Sequence, residues 1–271
     1  MNFSEFPYVE DLKRFSSDIF AKGWGEANGG NISIRLTGEE MVPFETQLSD
    51  GEAVKLLCSL PELAGEYFLV TGTGVFFRNI SRFPEEGLGI VRINSQGDAF
   101  TTVYGYSAGR RPTSELTPHL LTHAARKRVS SGLDRVVIHT HATNLIALSF
   151  VLPLNTKVIT RELWEMMTEC LVLFPEGIGV MEWMVPGNSE IGHATARLME
   201  EHRLVLWAHH GIFGAGQSMD QTFALIETAD KAAEMLLKVM AAGGKQQAIS
   251  ADQLKELARA FNVNPLKGVL D

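Results

Sequence analysis

The chain has 271 residues, 45% of them hydrophobic and 21% charged, which is enough apolar material for a full core without covalent staples. Its net charge of −8 argues against a nucleic-acid partner and means that any anionic substrate must be held by local donors. Two cysteines, Cys58 and Cys170, make no disulfide framework. With no secretion signal at the start of the chain, a cytoplasmic location is expected.

Residues 9–21 place Leu12, Phe15, Ile19 and Phe20 at helical spacing, and Lys22-Gly23-Trp24-Gly25 suits a helix stop. Ala27-Asn28-Gly29-Gly30-Asn31 is first of all a turn signal, and Ile32-Ser33-Ile34-Arg35-Leu36 alternates like a half-buried strand. Residues 37–59 are polar and poorly patterned and read as connection. Phe68-Leu69-Val70 predicts a strand running into Thr71-Gly72-Thr73-Gly74, with further short strands at 88–93 and 101–106. Arg110 to Glu115 reads as a loop leading into a helix capped by Thr113 or Ser114, with Leu116, Leu120, His123 and Ala124 down one face.

Val136-Val137-Ile138-His139-Thr140-His141 is an apolar strand that ends in two histidines one residue apart. Strand positions i and i+2 point to the same side, so both imidazoles lean toward one point. The surrounding uncharged run, 136–156, is long enough to raise the question of a membrane span. Its His139, His141, Asn144, Pro153 and Asn155 are residues that a lipid-facing helix would not carry.

A helix is expected from about residue 142 to 152, where Pro153 stops it, and another at 160–168. Glu169-Cys170-Leu171-Val172-Leu173 reads as a strand, and Asn188 or Ser189 caps a helix to about residue 201. The strand Leu204-Val205-Leu206-Trp207 runs directly into Ala208-His209-His210-Gly211. Ser218-Met219-Asp220-Gln221 and Ser250-Ala251-Asp252-Gln253 have capping-box spacing and start two closing helices. With no repeat and no linker, residues 1–271 read as one α/β domain, a central β-sheet covered by helices, with strand direction left open.

A His-x-His pair alone is a modest signal, because one imidazole is commonly a satisfied core group and the other a surface residue. A third histidine at the end of a second apolar strand changes the balance. Three imidazoles are the right number and type for zinc with an open coordination position. Spacing alone leaves His209 and His210 competing for the third place. His119, His123, His193 and His202 fall in helical patterns and read as packing or solvent-facing residues. Glu115 by itself would be an ordinary acidic residue in a first helical turn. Beside Thr113 and Ser114 it marks a helix N-terminus suited to an anion, phosphate in particular. Asn28-Gly29-Gly30-Asn31 and Thr71-Gly72-Thr73-Gly74 are two more donor-rich loops for the same anion.

Asn28-Gly29-Gly30-Asn31-Ile32-Ser33-x-Arg35, Thr71-Gly72-Thr73-Gly74, Thr113-Ser114-Glu115, His139-x-His141 and His210-Gly211 resemble, in order, the motifs of the class II aldolase/adducin-like superfamily. The resemblance covers nearly the whole chain. It implies one Zn2+ per subunit on His139, His141 and His210, with Glu115 as catalytic acid/base. It also implies phosphate and substrate contacts at Asn28, Gly29, Asn31, Thr73, Gly74, Thr113 and Ser114. Glu169 would be a second catalytic carboxylate, reaching its substrate across an interface of a homotetramer. Val75 stands where a lysine would be expected, which removes a charge beside the Thr71–Gly74 loop. The activity implied is retro-aldol cleavage of a small sugar phosphate, with no nucleic-acid or membrane partner. A fuculose-phosphate aldolase, a sugar-phosphate 4-epimerase and a non-catalytic adducin-type module are the alternatives on the same scaffold.

Overall fold

The computed structural model describes residues 2–49 and 51–271. In chain order the elements are α1 (Pro7–Ala21), β1 (Asn31–Leu36), α2 (Gly38–Met41), β2 (Ala53–Lys55), β3 (Tyr67–Thr71), α3 (Phe77–Ile80), α4 (Pro84–Gly87), β4 (Leu88–Ile93), β5 (Ala99–Gly105) and α5 (Leu116–Val129). There follow β6 (Val136–Thr140), α6 (Thr143–Val151), α7 (Thr156–Met166), α8 (Thr168–Leu173), β7 (Ile178–Met181), α9 (Ser189–Met199), β8 (Leu204–Trp207), β9 (Gly211–Gly216), α10 (Met219–Ala241) and α11 (Ala251–Ala260).

The strands form a nine-stranded sheet in the order β2-β5-β4-β3-β1-β6-β9-β8-β7. Its ladders are antiparallel apart from the parallel β7–β8 pair. The two faces separate cleanly along β6. Val136 and Ile138 join the main core with residues of α1, α6, α7 and α10, whereas Val137 packs with Ala125 of α5 and Ile191 and Met199 of α9. His139 points the same way as Val137 by strand alternation, so it is buried on the α5/α9 side.

Several expectations are corrected. β1 is buried at all six positions, not half-buried. Ile32, Ile34 and Leu36 enter the main core, while Asn31, Ser33 and Arg35 lie beneath a second layer. The 37–59 connection contains α2, a 3-10 turn (Val42–Gln47) and β2, with Asp50 outside the described residues. Residues 169–173 are helical in α8, not a strand, because that short apolar run packs on α7, α10 and α11. Neither Thr113 nor Ser114 caps α5: Glu115 occupies the N-cap position without a side-chain cap, and Thr113 Oγ1 accepts the Glu115 N–H instead.

Other boundaries follow their sequence signals. Asn188 caps α9, Ser218 caps α10, and Ser250 with Gln253 completes a capping box at α11. No helix among the described residues is long and apolar enough to cross a membrane; the uncharged run is divided among β6, α6 and the start of α7.

Candidate active site

The site forms where the ends of β6 and β8 meet the loop before β1. β1 and β6 pair so that Asn31 lies opposite His139, and β6 and β9 pair so that His139 lies opposite Phe213. Trp24 O receives both the His141 N–H at 3.0 Å and the Thr140 hydroxyl at 2.8 Å, which clamps the end of β6 to the segment after α1. Between β8 and β9 the chain turns through His209 at φ 62°, in the left-handed region. That turn sends His209 against Ser149 and Phe150 and leaves His210 facing the other two histidines.

Ligand atoms of His139, His141 and His210 lie within 4.8 Å of one another. His139 donates from Nδ1 to the Ile212 carbonyl at 3.2 Å, so its Nε2 carries a lone pair, and that atom is buried without a hydrogen-bond partner. His141 donates from Nδ1 to Glu26 at 2.6 Å, which likewise leaves Nε2 as the free nitrogen. Burial, reinforced by His141, pushes the His139 imidazole down to about 3. Burial, followed by the neighbouring His139, takes His210 down to about 4. Both rings are therefore neutral at physiological pH, the form that ligates a metal.

Glu115 Oε2 lies 3.6 Å from His139 Nε2. Two electron-pair donors facing each other in a buried site are unfavourable unless a cation sits between them. The backbone is cut back to match: a Cβ on Gly211 would stand 2.9 Å from His139 Cε1, and one on Gly29 would stand 2.8 Å from the His141 ring. The donor set, the orphaned Nε2 and the carboxylate fit a first-row divalent ion, and three imidazole nitrogens favour zinc over magnesium or calcium. The Glu26 carboxylate behind His141 is the outer partner that such a ligand ordinarily has.

A cavity of about 160 Å³ opens beside the triad, lined by Asn28, Gly29, Gly30, Asn31, Gly72, Thr73, Gly74, Thr113, Ser114, Glu115, His141 and His210. Every residue expected at the phosphate is in this wall. The two hydroxyl loops are fastened together, since Thr73 N donates to Arg111 O at 2.8 Å and Thr113 N to Thr71 O at 3.0 Å. Val75 is buried in the core rather than turned to the cavity, and Arg110 donates to Gly74 O at 3.3 Å.

Glu169 is not in this wall; it is exposed in the first turn of α8. The sequence reading missed Glu26, Ser33 and His119 as parts of the site. The helical pattern makes His119 and His123 packing or solvent-facing residues, yet both are fully buried and bonded under the polar face of β1. The available signal was the matched spacing of Asn31 and Ser33 on a strand with His119 and His123 one helical turn apart.

Three histidines and a glutamate converging beside a cavity lined by amide, hydroxyl and glycine residues suit metal-assisted lyase chemistry. The chain belongs to the class II aldolase family: residues 10–237 match the Class II Aldolase and Adducin N-terminal domain. It is 49% identical to the rhamnulose-1-phosphate aldolase of Mannheimia succiniciproducens, over 97% of each chain. It is 48% identical to that of Pectobacterium atrosepticum, over 97% of this chain and 96% of the relative. Among solved structures, a sugar-phosphate aldolase from Thermotoga maritima superposes with a TM-score of 0.74 at 27% identity, covering 88% of this chain and 98% of that one. An L-fuculose 1-phosphate aldolase shares the fold at 19% identity and a TM-score of 0.61, over 97% and 98% of the two chains.

Proposed function

We propose that this chain catalyses the reversible cleavage of L-rhamnulose 1-phosphate to dihydroxyacetone phosphate and L-lactaldehyde, a step of L-rhamnose catabolism. The observation that carries this reading is 49% identity with a rhamnulose-1-phosphate aldolase over 97% of both chains. The convergence of three histidines and Glu115 on one cavity supports catalysis over a non-catalytic adducin-type role.

His139, His141 and His210 would hold zinc, whose Lewis acidity draws off the charge that develops on the ketose oxygens as the carbon–carbon bond breaks. The phosphate is held by hydroxyl, amide and backbone donors at Asn28, Gly29, Asn31, Thr73, Gly74, Thr113 and Ser114. Glu115, close to His139 and reached from the cavity, moves the proton on the carbon left in the dihydroxyacetone phosphate half. No lysine is required for a Schiff base.

Glu169 is proposed to serve the aldehyde half from a neighbouring subunit of a homotetramer. Its exposure on α8 suits that role, and the exposed apolar side chains Phe150, Trp183 and Val185 suit burial between subunits. Location in the cytoplasm fits two cysteines that are both free.

The test is to incubate the purified protein with L-rhamnulose 1-phosphate and, separately, L-fuculose 1-phosphate, each with and without a chelator. Dihydroxyacetone phosphate should appear with the first substrate, stop when metal is removed and return on adding zinc. Preference for the fuculose ester, or full activity in chelator, would refute the assignment.

A further inference from the structure

Behind the cavity a line of polar side chains runs from the second turn of α5, along its face toward β1, to the catalytic carboxylate. Asn31 Nδ2 donates to Glu115 Oε2 at 2.7 Å, and Asn31 Oδ1 meets His119 Nε2. His119 Nδ1 lies 2.6 Å from Ser33 Oγ, and Ser33 Oγ lies 2.8 Å from His123 Nε2. Asn31, Ser33, His119 and His123 are all buried, the last three completely.

The donor inventory of these groups gives the line one direction. A carboxylate only accepts, so Asn31 must turn its NH2 toward Glu115 and its oxygen toward His119. That oxygen accepts from His119 Nε2–H. A neutral imidazole protonated at Nε2 has a bare Nδ1, so Ser33 gives its one hydroxyl proton there. The serine oxygen then accepts from His123 Nε2–H, and His123 Nδ1 is left as a lone pair. That atom is indeed buried without a partner. Burial holds both rings far below the ordinary histidine range, His123 at about 3, which keeps them in the neutral form the line requires.

We infer that His119 is a positioning residue: through Asn31 it aims the Glu115 carboxylate at the metal triad, at the end of a one-way chain of hydrogen bonds that begins at His123. Each bond removes an alternative orientation of the next group. Asn31 cannot flip without setting its oxygen against a carboxylate, and Glu115 cannot swing away without leaving a buried amide unpaired. Asn31 thus serves the carboxylate as well as lining the anion cavity.

The inference rests on the assignment of Glu115 as acid/base, and two measurements keep the two claims apart. In histidine-selective 15N-labelled, zinc-loaded wild-type enzyme, His119 and His123 should both show a protonated Nε2 and a bare Nδ1 at neutral pH, assigned by their loss in His119→Gln and His123→Gln. A bare Nε2 at His119 would reverse the chain and overturn the inference whatever the turnover. Kinetically, His119→Phe keeps an aromatic ring but removes both nitrogens. It should lower kcat about 10–100-fold, the usual cost of losing an outer partner, with KM and zinc content unchanged. His119→Gln presents an N–H and a carbonyl in place of the two nitrogens and should restore most of the loss. An unchanged kcat in His119→Phe, or a loss confined to KM, overturns the positioning role. Normal turnover in Glu115→Gln would instead overturn the acid/base assignment, leaving the tautomers to be read on their own.

Discussion

His139 and His119 are both fully buried, both lie on the α5/α9 side of the sheet, and both are held neutral by burial. They differ in where their lone pairs go. His119 spends both nitrogens on Asn31 and Ser33, whereas His139 spends Nδ1 on Ile212 and keeps Nε2 empty within 3.6 Å of a carboxylate. Burial and a depressed pKa therefore do not mark a metal ligand. What sets His139 apart is an unspent lone pair that converges with two further imidazoles and a carboxylate, because such a cluster of interior acceptors is costly unless an ion satisfies it; the equally bare His123 Nδ1 belongs to no such group among the described residues.

The sharpest way to break this contrast is to remove the empty nitrogen. His139→Ala should lose bound zinc and with it essentially all turnover; elemental analysis showing full occupancy would contradict the assignment of the triad. Glu115→Ala should keep its zinc and its affinity for inorganic phosphate while kcat drops about 10²–10⁴-fold, the usual contribution of a positioned acid/base. Ser114→Ala should raise KM about 10-fold or more at nearly constant kcat, since one hydrogen bond to a charged group is worth about 1.5–3 kcal/mol. A fall in kcat without a change in KM would move Ser114 out of the anion site.

The contrast also shows which parts of the site were open to reading from sequence. His139 and His141 were legible because β6 is an apolar run ending in histidines, and a third histidine was legible after β8; the choice of His210 over His209 came only from the family resemblance, because it depends on the left-handed turn at His209. The serine-capped starts of α10 and α11 were legible because capping is local. β9 was not: Gly211-Ile212-Phe213-Gly214-Ala215-Gly216 has the composition of a loop. Gly214 and Gly216 admit α10, since a Cβ would stand 2.9 Å from Ile226 and 2.7 Å from Thr222 Oγ1, and Gly211 makes room for the His139 ring. Residues 169–173 were misread because a short apolar run carries no period that separates strand from helix. The polar alternation of β1 was seen correctly, but its meaning was not. The polar face looks onto α5 instead of water, and nothing local in Asn31, Ser33 or Arg35 reports which layer will cover them.

The smallest expected effect separates the interior pair from water. His123 is held at about 3 in the folded chain against an ordinary value of 6.5, with burial the leading cause and the charges of Arg35 and Arg135 adding to it. Below pH 6.5 the unfolded chain takes up a proton at this residue and the folded chain does not. The stability that depends on a neutral His123 is thus present above that pH and is lost as pH falls toward 3. The slope contributed is about 1.4 kcal/mol per pH unit within that window. His123→Phe should be less stable than wild type at pH 7.5 by about 1 kcal/mol, because Ser33 loses its donor. On acidification the gap should close and then reverse, since the phenylalanine has no proton to take up. Denaturant midpoints measured from pH 7.5 to 4.5 would show the crossing. Metal release from the triad acts on both proteins alike and cancels in the difference. Parallel curves would mean that His123 is protonated in the folded chain, and a protonated ring there could not leave Nδ1 bare beneath the helix.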